Sequence, residues 1–181
     1  FILVAGAVKV FSGAPVFYLQ ERTGLGGRPF RIYKFRTMVV DAERQRTALM
    51  PLSQQDGPAF KIADDPRITG IGRWLRRLSL DELPQLLNVM AGDMAFIGPR
   101  PERPEFVRQL AETIPYFNAR HCVKPGITGW AQLCYPYGAS ENDARQKLQF
   151  DLYYVKNHSL FLDFMIALNT VEVVLFGKGA R

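Results

Sequence analysis

Two short β-prone segments that flank a glycine-rich connection place the strongest constraint on how this chain folds. The segments are residues 16–19 and 30–35, and the connection, residues 22–29, contains three glycines and a proline. Aromatic and aliphatic runs bounded by Gly and Pro are typical of a β-hairpin. The glycines could alternatively hold a phosphate, but no P-loop or G-x-G-x-x-G context surrounds them. The sequence therefore predicts a β-hairpin.

Two cations follow the period of the second predicted strand. If that strand continues to Arg36, its two-residue repeat puts Lys34 and Arg36 on one face. Such a face could bind an anion or lie at an ordinary solvated edge. The formal net charge of +6, from 23 Lys and Arg against 17 Asp and Glu, also favours an anionic partner such as phosphate, nucleic acid or an acidic membrane surface.

Three further segments have helical patterns. Residues 1–10 are apolar and look like part of a longer hydrophobic helix, which would be buried in a core or associated with a membrane. Residues 68–78 form a basic amphipathic stretch around Trp74, suited to an anionic membrane surface or to a solvated helix face. Residues 161–176 predict a helix against a core or a membrane surface. None reaches the roughly 20 apolar residues that cross a bilayer. Residues 41–66, which are polar and contain three prolines, predict a loop or a short helix and loop.

Consecutive acids, Asp81 and Glu82, lie where an arginine-rich run changes to an apolar, helix-like run. A helix N-terminus carries free amide donors, so it can hold both a carboxylate and a phosphate that the carboxylate attacks. Ser79 and Glu82 also have the spacing of a capping box, in which the acid only satisfies a backbone amide. Pro84 disfavours that cap, because it would break a hydrogen bond inside the helix. We therefore predict that the helix begins at Asp81, as a structural cap or a catalytic acid.

Two segments rich in proline and glycine contain further candidates. In residues 98–104, prolines on both sides of Arg100 fix the backbone, which either preorganises the guanidinium for two-point contact with phosphate or forms a rigid surface turn. Residues 124–130 predict a second turn. It leads to Tyr135 and Tyr137, which could stack on a base or sugar or pack within the protein.

Cysteine and histidine positions indicate neither a zinc site nor a disulfide framework. Cys122 and Cys134 have no C-x-x-C spacing, and His121 and His158 form no H-x-x-x-H array. We expect reduced, partly buried thiols.

Five motifs occur in a set order along the chain. They are Lys34-Phe35-Arg36-Thr37-Met38, residues 76–87, Gly92-Asp93-Met94 with Gly98-Pro99-Arg100-Pro101, Pro125-Gly126-Ile127-Thr128-Gly129-Trp130, and Asp151-Leu152-Tyr153-Tyr154. In this order they resemble bacterial sugar transferases, the monotopic polyprenyl-phosphate phosphoglycosyl transferases, over the chain from Gly13 onward. Two features depart from the common pattern: Ala95 stands where Ser is common, and residues 134–140 resemble a subgroup tied to exopolysaccharide assembly.

The resemblance implies a reaction and its site residues. A nucleotide-diphosphate sugar, usually a UDP-sugar, would donate a sugar phosphate to polyprenyl phosphate at the cytoplasmic face of the bacterial inner membrane. Asp81 would attack the sugar-bearing phosphoryl group, release UMP and carry the sugar phosphate until the acceptor takes it. Glu82 would hold Mg²⁺. Arg76 and Arg100 match family arginines near the phosphates, Lys34 and Arg36 are weaker candidates for that task, and Asp151 matches a family acid without a derivable role.

The sequence as a whole predicts an α+β fold. Residues 13–181 would form a compact, monotopic, membrane-associated catalytic domain with a small β-hairpin and several amphipathic helices, after a membrane-helix remnant at residues 1–12. The main hypothesis is an Mg²⁺-dependent phosphoglycosyl transferase. We expect no nucleic-acid partner, and a homo-oligomer is compatible with the hypothesis. Two rivals stay open: a non-catalytic basic module that binds a membrane surface or polyanion, and a sugar-nucleotide hydrolase in which water replaces the lipid acceptor. The binding module gives no role to Asp81 and Glu82.

Overall fold

A β-hairpin near the start of the chain and a small parallel sheet near its middle organise the fold. In this computed structural model, which describes residues 1–50, 62, 64–135 and 140–176, helices pack around both sheets and give an α+β structure. The described strands are β1 (Phe17–Thr23), β2 (Pro29–Phe35), β3 (Ala95–Ile97) and β4 (Gly126–Thr128). The described helices are α1 (Ile2–Ser12), α2 (Ala42–Leu49), α3 (Gly70–Arg77), α4 (Gln85–Ala91), α5 (Pro104–Thr113), α6 (Trp130–Cys134), α7 (Glu141–Asn157) and α8 (Leu160–Phe176).

The predicted hairpin is confirmed and is longer than expected. β1 and β2 are antiparallel, with Phe17 opposite Phe35 at the open end. The connection makes a 3₁₀ turn at Leu25–Gly27, where Gly26 and Gly27 have φ angles of 62° and 78°. These angles lie in the left-handed region that favours glycine. The glycines therefore serve the turn, as the hairpin interpretation requires.

The parallel pair β3–β4 brings the two segments rich in proline and glycine together. Ala95 lies opposite Gly126 in this pair. Gly126 packs so closely that a Cβ built on it would lie 2.1 Å from the amide nitrogen of Gly98. The prediction of a simple turn at residues 124–130 is therefore wrong at its centre. The missing side chain lets the segment approach its neighbour and pair as a strand.

Helix α1 contributes one face to the core. Val8 is fully buried in a cluster with Phe35 and Leu75, whereas Ile2 and Leu3 are 85% and 89% exposed. The alternative of a buried core helix therefore holds for one face only, because only one side of α1 meets the hairpin and α3. A second apolar cluster joins α5, the 3₁₀ segment Phe117–Cys122 and α7 through Val107, Ile114, Phe117 and Leu148.

The other two helical predictions are confirmed. α3 buries Leu75 and leaves Trp74 62% exposed, as expected of an amphipathic stretch. In α8, the polar Asp163 accepts a 2.8 Å hydrogen bond from the Tyr154 hydroxyl, which ties the helix to α7. Of the helices that the structure describes, none is both long and apolar enough to span a bilayer.

Several smaller expectations have mixed outcomes. Cys122 and Cys134 are free thiols, but both are exposed, so the expected partial burial is wrong: each residue ends its element at the surface. α2 confirms a short helix within residues 41–66. Residues 51–61 and 63 of that segment lie outside the described residues, as do Tyr137 and most of the 134–140 loop.

Candidate active site

The consecutive acids lie on a tight turn between α3 and α4. Ser79 has a φ of 54°, in the left-handed region, and Leu80–Glu82 form a single 3₁₀ turn. Among the described residues the Ser79 side chain makes no capping hydrogen bond, so the capping-box interpretation is wrong. The Ser79 carbonyl instead accepts a 3.3 Å hydrogen bond from the Glu82 amide. The Glu82 carboxylate is therefore available to other partners.

Helix α4 begins later than predicted. Its first residue is Gln85 and its N-cap is Pro84, so the predicted start at Asp81 is wrong. Pro84 has no N–H, and the ladder of hydrogen bonds from the preceding turn is interrupted there. The bonds that resume beyond it are short-range, such as the 3.0 Å bond from the Leu87 amide to the Pro84 carbonyl. Asp81 thus belongs to a one-turn 3₁₀ segment and does not cap α4.

Two cations hold Glu82. Its Oε1 lies 2.7 Å from the Lys34 Nζ and 2.5 Å from the Arg100 Nη2, and its Oε2 accepts a 3.3 Å hydrogen bond from the Arg100 Nη1. Burial alone would raise the pKa of Glu82, but Arg100 and Lys34 outweigh burial and hold that pKa far below its usual range. Burial in turn lowers the pKa of Lys34, and the Glu82 carboxylate opposes this shift. Glu82 therefore stays ionised at neutral pH.

Asp81 has a different environment from its neighbour. No residue in the described part of the chain forms an ion pair or a side-chain hydrogen bond with its carboxylate. Burial raises the pKa of Asp81 above its ordinary 3.8, while the charges of Lys34 and Arg76 oppose that shift. A carboxylate whose lone pairs are not shared with a salt-bridge partner can attack an electrophile. Among the described residues, Asp81 therefore differs from Glu82 in having no salt-bridge partner.

Arg76, in the last turn of α3, is brought to the same site. Its Nε donates a 2.9 Å hydrogen bond to the Thr37 Oγ1, while the side chain as a whole remains exposed. Gly72 makes this approach of α3 possible, since a Cβ at that position would lie 2.1 Å from the Thr37 carbonyl oxygen. The Arg76 guanidinium is therefore anchored through one nitrogen, and burial lowers its pKa from the usual range.

Arg36 contacts a different part of the molecule. Its buried guanidinium donates hydrogen bonds to the carbonyl oxygens of Pro15 at 2.6 Å, Gly13 at 2.8 Å, and Ser12. β2 ends at Phe35, so the two-residue period that aligned Arg36 with Lys34 stops before it. These contacts close the end of α1 onto the hairpin. They give no support to a role for Arg36 at a phosphate.

Asn88 fixes α4 against the hairpin. The side chain is fully buried, its Oδ1 accepts a 3.1 Å hydrogen bond from the Tyr33 amide, and its Nδ2 donates a 2.7 Å bond to the Arg31 carbonyl. An amide side chain can satisfy both groups of a strand in this way. Lys34 follows Tyr33 on β2. Asn88 therefore helps to set the distance between Lys34 and the turn that carries Glu82. The sequence interpretation missed Asn88, although a polar residue within an apolar helix signals a buried hydrogen bond.

Within the described residues, Asp151 is linked to the site through Arg120. It forms a buried ion pair with Arg120, with 2.7 Å between Oδ2 and Nη2. Burial raises the pKa of Asp151, and the charge of Arg120 opposes this. The same Arg120 nitrogen donates a 2.9 Å hydrogen bond to the backbone carbonyl of Arg100. Sequence reasoning missed Arg120, although a lone carboxylate in the buried stripe of α7, between Leu148 and Tyr154, indicates a cationic partner.

A small cavity of about 10 Å³ lies beside Lys34 and Arg100 and is also lined by Arg22 and Gln85. The Arg22 Nε and the Gln85 Nε2 are buried and donate no hydrogen bond to the described residues. The cavity has room for about one water-sized group. Because these polar lining groups are donors, the cavity suits an oxygen acceptor such as water or a phosphate oxygen.

The acidic pair fits Mg²⁺ when phosphate is present. Across the described residues, no three His, Cys, Asp or Glu side chains cluster as a metal site. Mg²⁺, however, commonly binds through one or two carboxylates together with substrate phosphates and water. Glu82 can supply Oε2, its less engaged oxygen, and Asp81 is the adjacent carboxylate. Lys34 and Arg100 would repel a bare cation, so the residues fit an ion that binds together with phosphate.

Comparison with known proteins adds an independent finding. The family model described as bacterial sugar transferase matches residues 1–177. Over 99% of the chain, the sequence is 45% identical to a UDP-N-acetylgalactosamine-undecaprenyl-phosphate N-acetylgalactosaminephosphotransferase of Aeromonas hydrophila. It is 40% identical over 98% of the chain to an undecaprenyl-phosphate glucose phosphotransferase of Komagataeibacter xylinus. It is also 40% identical over 99% of the chain to the uncharacterized sugar transferase EpsL of Bacillus subtilis strain 168.

These relatives differ in length. The chain spans 40% of the Aeromonas protein and 32% of the Komagataeibacter protein, but 80% of EpsL. The match to each of the three extends over nearly the whole of this chain.

Proposed function

The chain belongs to the bacterial sugar transferase family, and we propose that it transfers a sugar phosphate from a UDP-sugar to polyprenyl phosphate through a covalent intermediate on Asp81. The observation that carries this proposal is the contrast between the adjacent acids. Glu82 is clamped by Lys34 and Arg100, whereas Asp81 has a partly desolvated carboxylate without an ion pair among the described residues. The names of the relatives support undecaprenyl phosphate as the acceptor.

In the first step an Asp81 carboxylate oxygen attacks the phosphorus that bears the sugar. A bond forms between this oxygen and phosphorus, and the bond from phosphorus to the bridging oxygen breaks. UMP leaves with the bridging oxygen and its electron pair. Lys34 and Arg76 favour the ionised form of Asp81, which is the form that attacks.

In the second step an oxygen of polyprenyl phosphate attacks the phosphorus of the Asp81 adduct. The bond from phosphorus to the Asp81 oxygen breaks, the carboxylate is regenerated, and polyprenyl-diphosphate-sugar is released. Both steps bring anions together, and the charges of Arg76 and Arg100 would reduce that repulsion. Arg76 is an exposed residue and the Arg100 side chain is 39% exposed, which supports their approach by phosphate oxygens.

Glu82 is the residue that we propose holds Mg²⁺, together with oxygens of the substrate phosphates. When bound, Mg²⁺ would screen the phosphate charge and polarise the bond that breaks. Lys34 and Arg100 keep Glu82 ionised over the physiological pH range, so the carboxylate is in the form that binds a metal.

A lipid acceptor requires contact with a membrane, and exposed apolar side chains support that part of the proposal. α1 exposes Ile2 and Leu3, and α8 exposes Leu160 and Phe161. The Cζ of Arg77 lies 5.9 Å from the centroid of the exposed Trp74 ring. An aromatic ring beside a cation is suited to an anionic lipid interface. We propose that these faces rest on the cytoplasmic surface of the inner membrane, where the nucleotide-sugar donor is available.

The proposal is tested with the full-length protein in lipid bilayers, supplied with Mg²⁺, undecaprenyl phosphate and a panel of UDP-sugars. We expect UMP and the lipid-linked product in equal amounts from the unchanged protein, and neither from Asp81→Asn. Glu141→Gln, at an exposed acid of α7, is the matched control and should keep full activity. Steady UMP release without lipid would indicate a hydrolase, and salt-sensitive polyanion binding without UMP would indicate a binding module.

A further inference from the structure

The segment that carries Arg100 is held through its carbonyl groups. We call residues 98–102 the proline strap. Along it, the carbonyls of four successive residues each accept a hydrogen bond from a different donor. At the two ends, the Gly126 amide donates to the Pro99 carbonyl at 3.0 Å and the Thr23 amide donates to the Glu102 carbonyl at 2.9 Å. At the centre, the Arg120 Nη2 donates to the Arg100 carbonyl at 2.9 Å and the Arg22 Nη1 donates to the Pro101 carbonyl at 3.1 Å.

The composition of the strap explains why outside donors are needed. Pro99 and Pro101 have no N–H, so they cannot donate to a regular ladder on both sides of Arg100. A backbone carbonyl still requires a donor when it is buried. β4 and β1 supply amides at the two ends of the strap. At its centre, next to Arg100, the donors are two guanidinium groups.

Arg120 is itself fixed in orientation. Its side chain is 7% exposed, and its Nη2 lies 2.7 Å from the Asp151 Oδ2. Its Cζ lies 5.2 Å from the centroid of the Phe117 ring, on which the guanidinium stacks. Burying such an ion pair costs desolvation energy that its Coulomb attraction often fails to recover. Net stability is therefore a weak reason for the pair. Its hydrogen bond to the Arg100 carbonyl gives it a positional role.

We propose that Arg120, oriented by Asp151, is a positioning residue that fixes Arg100 against Glu82, and that Arg22 does the same from the hairpin. This inference rests on the proposed function in assigning importance to Glu82, but its geometry is independent of the reaction. The Arg100 side chain is 39% exposed and would otherwise sample many rotamers. With the strap fixed, both guanidinium nitrogens stay within hydrogen-bond distance of the Glu82 carboxylate.

The test is the double replacement Arg120→Met with Asp151→Leu. Replacing a buried ion pair by apolar residues of similar size usually preserves folding, while the hydrogen bond to Arg100 is lost. We expect the NMR signals of the Arg100 guanidinium to show faster rotation about its Nε–Cζ bond, because the side chain is held less firmly against Glu82. In the full-length enzyme we expect kcat to fall about 10-fold with little change in KM.

Glu141→Leu with Arg145→Met is the matched control, because it removes an exposed ion pair from the same helix. It should leave both the Arg100 signals and kcat unchanged. In a background of Arg100→Gln, the Arg120 and Asp151 replacements should cause no further fall in kcat, since they act through Arg100.

Unchanged Arg100 signals in the folded double variant would overturn the proposal. If that variant does not fold, Arg120→Lys gives the same reading, because lysine keeps the charge and loses the fixed fork of donors. An inactive full-length protein would refute the proposed function, yet the Arg100 signals would still decide the positioning role.

Discussion

Lys34 and Glu82 lie 48 residues apart in the chain, and their Nζ and Oε1 atoms are 2.7 Å apart in the fold. The first residue is on β2 and the second is on the 3₁₀ turn before α4. Arg100 reaches the same oxygen from the proline strap. Three segments therefore converge on one carboxylate, while the neighbouring Asp81 carboxylate takes part in none of these ion pairs.

Replacing Glu82 by Gln should destabilise the protein by about 1 to 2 kcal/mol at pH 7, because it leaves Lys34 without its carboxylate. The folded pKa of Glu82 is lowered, so its stabilising effect is complete above the ordinary 4.5 and is lost as the pH falls through the folded pKa. Urea unfolding at pH 7 and at pH 3 measures the difference. A stability gap that is the same at both pH values would contradict the account.

Replacing Asp81 by Asn should instead raise the Tm at pH 7. Burial raises the folded pKa of Asp81, so the ionised form is less stable in the folded protein than in the unfolded chain. The neutral amide removes that cost. Thermal unfolding should show the gap in Tm closing below pH 3.8, where the carboxyl is protonated in both states. A lower Tm for the variant at pH 7 would show that the carboxylate has a stabilising partner.

Replacing Asp65 by Asn should cost about 3 kcal/mol of unfolding free energy, as expected when one member of a buried ion pair is removed. Asp65 Oδ1 and Oδ2 lie 2.8 and 2.5 Å from two nitrogens of Arg67, and both side chains are buried. Urea unfolding gives the value. The control is Glu141→Gln in the exposed pair with Arg145, which should cost less than about 0.5 kcal/mol. Equal costs for the two variants would contradict this account of Asp65.

Replacing Gly126 by Ala should destabilise the protein by about 2 kcal/mol or more, because the new Cβ would collide with the backbone of Gly98. Gly6→Ala is the matched control. Nothing lies within 4 Å of a Cβ at Gly6, and alanine there should stabilise α1 by about 0.5 to 1 kcal/mol. Chemical denaturation of both variants decides the point. A neutral Gly126→Ala would mean that β3 and β4 are not closely packed.

The hairpin and the helices at residues 68–78 and 161–176 could be predicted because their signals are local. Alternation, amphipathic spacing and glycine-rich turns depend on neighbours in the chain. The start of α4 was missed by four residues, because Pro84 both permits a first helical turn and interrupts the ladder of hydrogen bonds. Proline is tolerated in the first turn of a helix, which favoured a start at Asp81. The hydrogen bond that Pro84 cannot donate interrupts the helix there, so the regular helix begins at Gln85.

The supporting residues of the site could not be predicted in the same way. Asn88 bonds to Arg31, which is 57 residues away, and Arg120 bonds to Arg100 across 20 residues. Such contacts depend on the tertiary fold and leave only weak traces, such as a polar residue in an apolar helical stripe. Arg36 is the opposite case. Its position in the motif with Lys34 suggested a phosphate contact, but its guanidinium donates hydrogen bonds to backbone carbonyls just after α1.

In the proposed mechanism Asp81 becomes covalently attached to the sugar phosphate. The most direct measurement is peptide mass spectrometry of the full-length protein after brief incubation with Mg²⁺ and a UDP-sugar, without lipid acceptor. We predict a sugar-phosphate adduct on the peptide containing Asp81, with one UMP released per adduct, and its loss when undecaprenyl phosphate is added. An unmodified Asp81 peptide in a preparation that still forms the lipid-linked product would contradict the covalent mechanism.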